Sequence, residues 1–170
     1  MTLETNLQRA LARRSFLEAS AGVIAGVVAV QTAPALAQTE TTGPMNFFPG
    51  FRLQTIQTTG ATINVLVGGD GSPVLLLHGY PQTHVEWRKI APELAKTYTV
   101  VVPDLRGYGD SSKLPGGDNH INYSKRAMAL DQVEVMEKLG FRQFAMVSHD
   151  RGSRVGHRLA LDHPDRRPSS

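Results

Sequence analysis

A mostly parallel, doubly wound α/β sheet is the fold this sequence predicts, on three observations. The apolar runs 74–77, 98–102 and 144–147 lack polar alternation, as strands buried on both faces do. Segments with helical signals separate them. Each run ends in a short loop of glycine and polar residues: His78-Gly79-Tyr80-Pro81, Asp104-Leu105-Arg106-Gly107-Tyr108-Gly109, and Ser148-His149-Asp150-Arg151-Gly152. Open α/β sheets bind ligands outside the carboxyl ends of their strands, so these three loops gather where chemistry is done.

Composition narrows the classes of function. The 170 residues are 41% hydrophobic and 19% charged, values of one ordinary globular domain. Net charge is +3, but the 18 Lys and Arg are scattered and form no basic stripe interleaved with aromatics, so nucleic acid is not an expected partner. The absence of cysteine excludes disulfides, thiolate catalysis and Cys-based zinc sites. The six histidines show no H-E-x-x-H or comparable spacing, so neither a metal nor another cofactor is expected.

Taken in order, the chain opens with an address. Arg13-Arg14-Ser15-Phe16-Leu17, a mild apolar run over 19–30 and the small-x-small site Ala35-Leu36-Ala37 resemble a twin-arginine export signal. Glu18 stands where such signals usually carry a basic residue. Residues 1–37 are therefore expected to direct export to the periplasm or beyond, with cleavage after Ala37 and membrane contact during export only. Residues 38–49, rich in Thr with two prolines, read as a linker. The fold is expected to occupy 50–170.

Residues 51–58 and 61–67 are β-rich and meet at Thr59-Gly60, which predicts a hairpin. Run 74–77 is the first parallel strand. Thr83 and Glu86 have the spacing of a capping box and predict a helix after Pro81. Run 98–102 is the second parallel strand, followed by a loop that lasts to Tyr123. Ser124 caps a helix whose apolar Met128, Val133, Met136 and Leu139 fall near helical spacing, and Gly140 ends it. Run 144–147 is the third parallel strand. A helix over 151–162 follows and stops at Pro164.

Between the third strand and that helix, the chain turns through small residues and leaves one side chain exposed on a strained elbow. That side chain is Asp150. The turn resembles the G-x-S-x-G nucleophile elbow of α/β-hydrolases, with aspartate in place of serine and Ser148 in place of the first glycine. A carboxylate attacks carbon directly and forms an ester that water later cleaves. Such chemistry suits carbon–halogen bonds and epoxides.

The motifs His78-Gly79-Tyr80-Pro81-Gln82, Asp104-Leu105-Arg106-Gly107-Tyr108-Gly109-Asp110-Ser111-Ser112 and His149-Asp150-Arg151-Gly152-Ser153-Arg154 together resemble the α/β-hydrolase branch of haloacetate dehalogenases and epoxide hydrolases. The resemblance covers about residues 50–165. It implies Asp150 as nucleophile and the backbone N–H groups of Tyr80 and Arg151 as the oxyanion hole. Arg151, where epoxide hydrolases usually carry tryptophan, and Arg154 match the arginines that hold a haloacid carboxylate. His149 orients the elbow. His84, Trp87 and Tyr108 either line the pocket or pack, and His78, Asp104 and Arg106 brace their loops. The expected ligand is a small haloacid or epoxide.

The family's activating histidine, the acid that orients it and the helical cap all follow the elbow. Only residues 153–170 follow Gly152 here, and the tail from Asp165 has no apolar run. The sequence thus reads as the amino-terminal portion of such a hydrolase, truncated after the elbow helix and expected to be inactive alone. The competing class is a non-catalytic remnant that acts only through a partner.

Overall fold

The computed structural model describes residues 47–168. The export signal, and the linker up to residue 46, lie outside the described residues. Five strands form one sheet in the order β1-β2-β4-β3-β5. They are β1 (Arg52–Gln57), β2 (Thr62–Gly68), β3 (Ser72–Leu77), β4 (Tyr98–Pro103) and β5 (Ala145–Ser148). The expected hairpin is present, with Arg52 opposite Val67 and Gln57 opposite Thr62. The three apolar runs pair in parallel, β4 with β3 and β3 with β5. β1 with β2 and β2 with β4 pair antiparallel, so the sheet is mixed, and β4-β3-β5 is its parallel part.

Alternate residues of the strands feed two cores, one on each face. On one face Ile63, Val65, Leu75, Leu77 and Val101 pack against α2 (Lys125–Lys138) and α3 (Asp150–Asp162), through Met128, Val135, Met136, Val155 and Leu159. On the other, Leu66, Val74, Leu76, Val100 and Val102 pack against Phe48, Trp87 and Ala91. Ala91 opens the short helix α1 (Ala91–Leu94). Phe48, expected in the linker, belongs to this second core at 6% exposure, so the fold begins before residue 50.

The segment after Pro81 departs from the expected helix. It forms a 3-10 turn, His84–Trp87, and then α1. Pro92 explains the break: it lacks the N–H that a helix continuing from His84–Trp87 would need, and it is tolerated where it stands, in the first turn of α1. Thr83 does cap the turn, its hydroxyl accepting the Val85 N–H at 3.4 Å. Glu86 does not complete a capping box, because its carboxylate is engaged elsewhere.

Ser124 caps α2 as expected, its hydroxyl accepting the Ala127 N–H at 3.2 Å. The strand β5 lies at the sheet edge, and Val147 is 45% exposed. In the register of β3 and β5, Leu77 faces Ser148. The two loops that follow these residues therefore emerge side by side.

Candidate active site

Asp150 has φ +44, a conformation that non-glycine residues rarely adopt. The turn is held there by its surroundings, as strained functional positions are. The His149 N–H donates to the Leu77 carbonyl at 3.0 Å. Two glycines allow the close approach. A Cβ on Gly152 would lie 2.5 Å from the carbonyl oxygens of Leu77 and His78, and one on Gly79 would lie 2.9 Å from the Asp150 Cβ. Ser148, which replaces the other glycine of the elbow pattern, is accommodated as the last residue of β5.

The Tyr80 N–H donates to Asp150 Oδ2 at 3.0 Å. This bond and a second from the Arg151 N–H hold the Asp150 carboxyl below its ordinary pKa, against the opposing pull of desolvation. The charges of His149 and Arg151 act in the same direction. Asp150 is thus an exposed, ionised carboxylate aimed by two backbone donors at the start of α3.

His78 supports the donor from behind. The ring is fully buried, with Nδ1–H donating to the Gly79 carbonyl at 2.8 Å and Nε2 accepting the Leu105 N–H at 3.0 Å. Both ring nitrogens are engaged in a way that requires the neutral imidazole, and burial lowers the ring's pKa accordingly. His78 therefore braces the loop, as its place in the sequence implied. The carbonyl it holds shares a peptide with the Tyr80 N–H, so the hydrogen bond also polarises that donor.

The second loop is pinned by Asp104 and Arg106. Asp104 Oδ1 accepts from the backbone N–H and Nδ1 of His84, at 2.7 and 2.9 Å, and Oδ2 accepts from Asn64 and from the Asp110 N–H, both at 3.0 Å. Burial alone would raise its pKa, but the hydrogen bonds from His84 and Asn64 outweigh it and bring the carboxyl down to about 2. Arg106 makes a buried bidentate pair with Asp131 of α2, at 2.5 and 2.6 Å, and donates to the Asn122 carbonyl at 2.8 Å. These residues tie the loop to the sheet and to α2.

The expected substrate clamp is only partly assembled around Asp150. The Arg151 guanidinium lies over the Tyr80 ring, 4.7 Å from its centroid, a cation–π contact between the two loops. Arg151 and Arg154 are both exposed, and neither is within ion-pair distance of a carboxylate among the described residues. Trp87 is not brought to the site: it is 6% exposed in the second core, with its indole N–H unpaired. Tyr108 stands nearer, its ring 6.4 Å from that of Tyr80.

Two residues of the site were not singled out from the sequence. Lys125, at the start of α2, has its pKa lowered first by burial and then by the positive charges of Arg151 and Arg154, which makes it the third cation of this corner. Its position after the capping Ser124 signalled only a helix start. Glu86, read as a capping residue, instead touches both loops: its carboxylate accepts the Gly79 N–H at 2.8 Å and contacts His149 Nδ1 at 2.7 Å.

A cavity of about 360 Å³ lies far from Asp150, at the opposite ends of the strands, lined by Arg52, Thr99, Leu139 and Phe141 among others. Among the described residues no group of three or more His, Cys, Asp or Glu side chains could hold a metal, and no helix is long and apolar enough to cross a membrane.

The family model described as alpha/beta hydrolase fold matches residues 72–168, from β3 through all three loops and α3. The chain belongs to the α/β-hydrolase family. Within this family it is similar to a fluoroacetate dehalogenase of a Burkholderia species, 57% identical over 118 residues, which are 69% of this chain and 39% of the relative. It is also similar to a soluble epoxide hydrolase of Corynebacterium sp. strain C12, 41% identical over 106 residues, 62% of this chain and 35% of the relative. Among solved structures, ALR0039 from Nostoc sp PCC 7120 is 64% identical with a TM-score of 0.68, covering 69% of this chain and 40% of that one. The epoxide hydrolase CorEH is 37% identical with a TM-score of 0.63, covering 68% and 39%. The α/β-hydrolase chain thus spans about two fifths of the length of the relatives it matches.

Proposed function

We propose that this α/β-hydrolase uses Asp150 as the nucleophile of a haloacetate dehalogenase-like reaction. One observation carries the reading: an ionised aspartate at φ +44 on the elbow, with Oδ2 bonded to the Tyr80 N–H. A carboxylate oxygen attacks the α-carbon in line, the new C–O bond forms, and halide departs with the electrons of the C–X bond. Water then adds to the Asp150 ester carbonyl. A general base takes a proton from this water, the N–H groups of Tyr80 and Arg151 stabilise the resulting oxyanion, and the bond from Asp150 Cγ to the substrate oxygen breaks, that oxygen regaining the proton as the hydroxy acid leaves.

Arg151 and Arg154 hold the substrate carboxylate by charge-assisted bonds, which favours a haloacid over an epoxide. An epoxide offers this cationic corner one neutral oxygen and no carboxylate, so the bonds it accepts are weaker. The similarity to epoxide hydrolases supports the second reading, in which the same carboxylate opens a three-membered ring.

The second half-reaction needs a general base, and no histidine is hydrogen-bonded to Asp150 among the described residues. We infer that the 170 residues perform the alkylation and do not cycle. Halide release by the purified chain from fluoroacetate and chloroacetate tests this, with a neutral epoxide as comparison. At most one halide per chain is expected. Repeated turnover would show that the chain supplies its own base, His157 and His163 being the first residues to examine.

The twin-arginine motif at Arg13 and Arg14 supports export of the chain. Replacing both with lysine should leave the precursor uncleaved in the cytoplasm; unchanged cleavage after Ala37 would contradict that route.

A further inference from the structure

Glu86 sits on the 3-10 turn after Pro81, outside both loops that meet at Asp150. Its carboxylate nonetheless joins them. One oxygen, Oε2, accepts the Gly79 N–H at 2.8 Å, and the other, Oε1, lies 2.7 Å from His149 Nδ1. A carboxylate has no proton to give, so Nδ1 must carry one and donate it, whether the ring is neutral or charged.

The bridge acts on the atoms that aim Asp150. Gly79 N–H and Tyr80 N–H belong to successive peptides, and the carbonyl between them is held by His78 Nδ1–H at 2.8 Å. With Glu86 on the preceding N–H, the backbone that carries the Tyr80 donor is fixed on both sides. On the elbow, Glu86 holds the ring of His149, the residue immediately before Asp150. Gly79 is buried and its neighbours leave no spare room, so losing the carboxylate strands an unpaired N–H in a close contact between the loops.

We propose that Glu86 is a positioning residue, clamping the oxyanion-hole peptide to the nucleophile elbow so that the Tyr80 N–H meets Asp150 in a preset geometry. The proposal rests on the reading of Asp150 as nucleophile for its kinetic consequence, but not for its structural one.

Two variants of the full chain, Glu86→Leu and Glu86→Gln, separate the outcomes. Glutamine keeps an acceptor for Gly79, and its NH2 group can donate to His149 Nδ1 in the Nε2–H tautomer, whereas leucine offers neither bond. Amide hydrogen exchange should be faster at Gly79 in Glu86→Leu and close to the parent in Glu86→Gln. A misplacement of about 1 Å costs up to ~10²-fold in rate. The maximal rate of Asp150 alkylation by chloroacetate should therefore fall about 10- to 100-fold in Glu86→Leu, with a half-saturating concentration near that of the parent, and should recover in Glu86→Gln. Unchanged exchange at Gly79 in Glu86→Leu overturns the proposal, as does a glutamine variant as impaired as the leucine one. If the parent chain is not alkylated at all, the Asp150 reading fails, and the exchange measurement alone decides the role of Glu86.

Discussion

Tyr80 and Asp150, separated by 70 positions in the chain, are joined by a 3.0 Å hydrogen bond from the Tyr80 backbone N–H to Asp150 Oδ2. The parallel register that sets Leu77 beside Ser148 makes this possible, because the two loops leave neighbouring strand ends. A backbone donor on one loop thus aims a carboxylate on another, with the two elements fixed by the same sheet.

The lowered pKa of Asp150 sets the acid side of its reactivity. In the proposed reaction the attacking form is the carboxylate, and the hydrogen bonds from Tyr80 and Arg151 stabilise that form. The alkylation rate should therefore be flat from neutral pH down through the ordinary aspartate pKa of about 3.9, and decline only below it. Mass spectrometry of the Asp150 peptide after timed exposure to chloroacetate across pH checks this; an inflection above about pH 4 would contradict it.

Asp104 makes a prediction about stability. Its folded pKa of about 2 lies below the ordinary value of 3.8, so its contribution is present above the unfolded pKa and is lost as pH falls through the folded one. Asp104→Asn should cost about 2 kcal/mol at neutral pH. The difference from the parent should shrink as pH falls from about 4 to 2. Urea titrations of both proteins across that range provide the measurement, and a constant difference would show that Asp104 acts otherwise.

Much of this arrangement is legible in the sequence, and the exceptions have physical causes. Unbroken apolar runs identify β3 and β4 because both their faces are covered, and Ser124 announces α2 because its hydroxyl has only one helix to cap. Glu86 escapes because a glutamate three positions after Thr83 has the same spacing whether it turns back to the cap or reaches across to Gly79. Trp87, left open between pocket and core, packs in the second core because the 3-10 turn directs it there, and the sequence does not tell which face of the sheet a loop crosses. Lys125 is hidden because its nearness to Arg151 and Arg154 arises from α2 packing on α3.

The clamp role proposed for Arg151 predicts a difference between two reagents. A hydrogen bond to a charged group contributes about 1.5–3 kcal/mol, so Arg151→Leu should raise the half-saturating chloroacetate concentration by ~10- to 100-fold. Alkylation by neutral chloroacetamide should change far less, since it offers no carboxylate. Equal losses with both reagents would mean that Arg151 acts by stacking on Tyr80 to hold the loops, and not on the substrate.

The role of Asp150 is tested most directly by a single-turnover experiment on the purified chain. After brief exposure to chloroacetate and acid quench, the peptide containing Asp150 should gain the mass of one carboxymethyl group as an ester, and Asp150→Asn should gain none. A modification that persists in Asp150→Asn, or that maps to another side chain, would contradict Asp150 as the nucleophile.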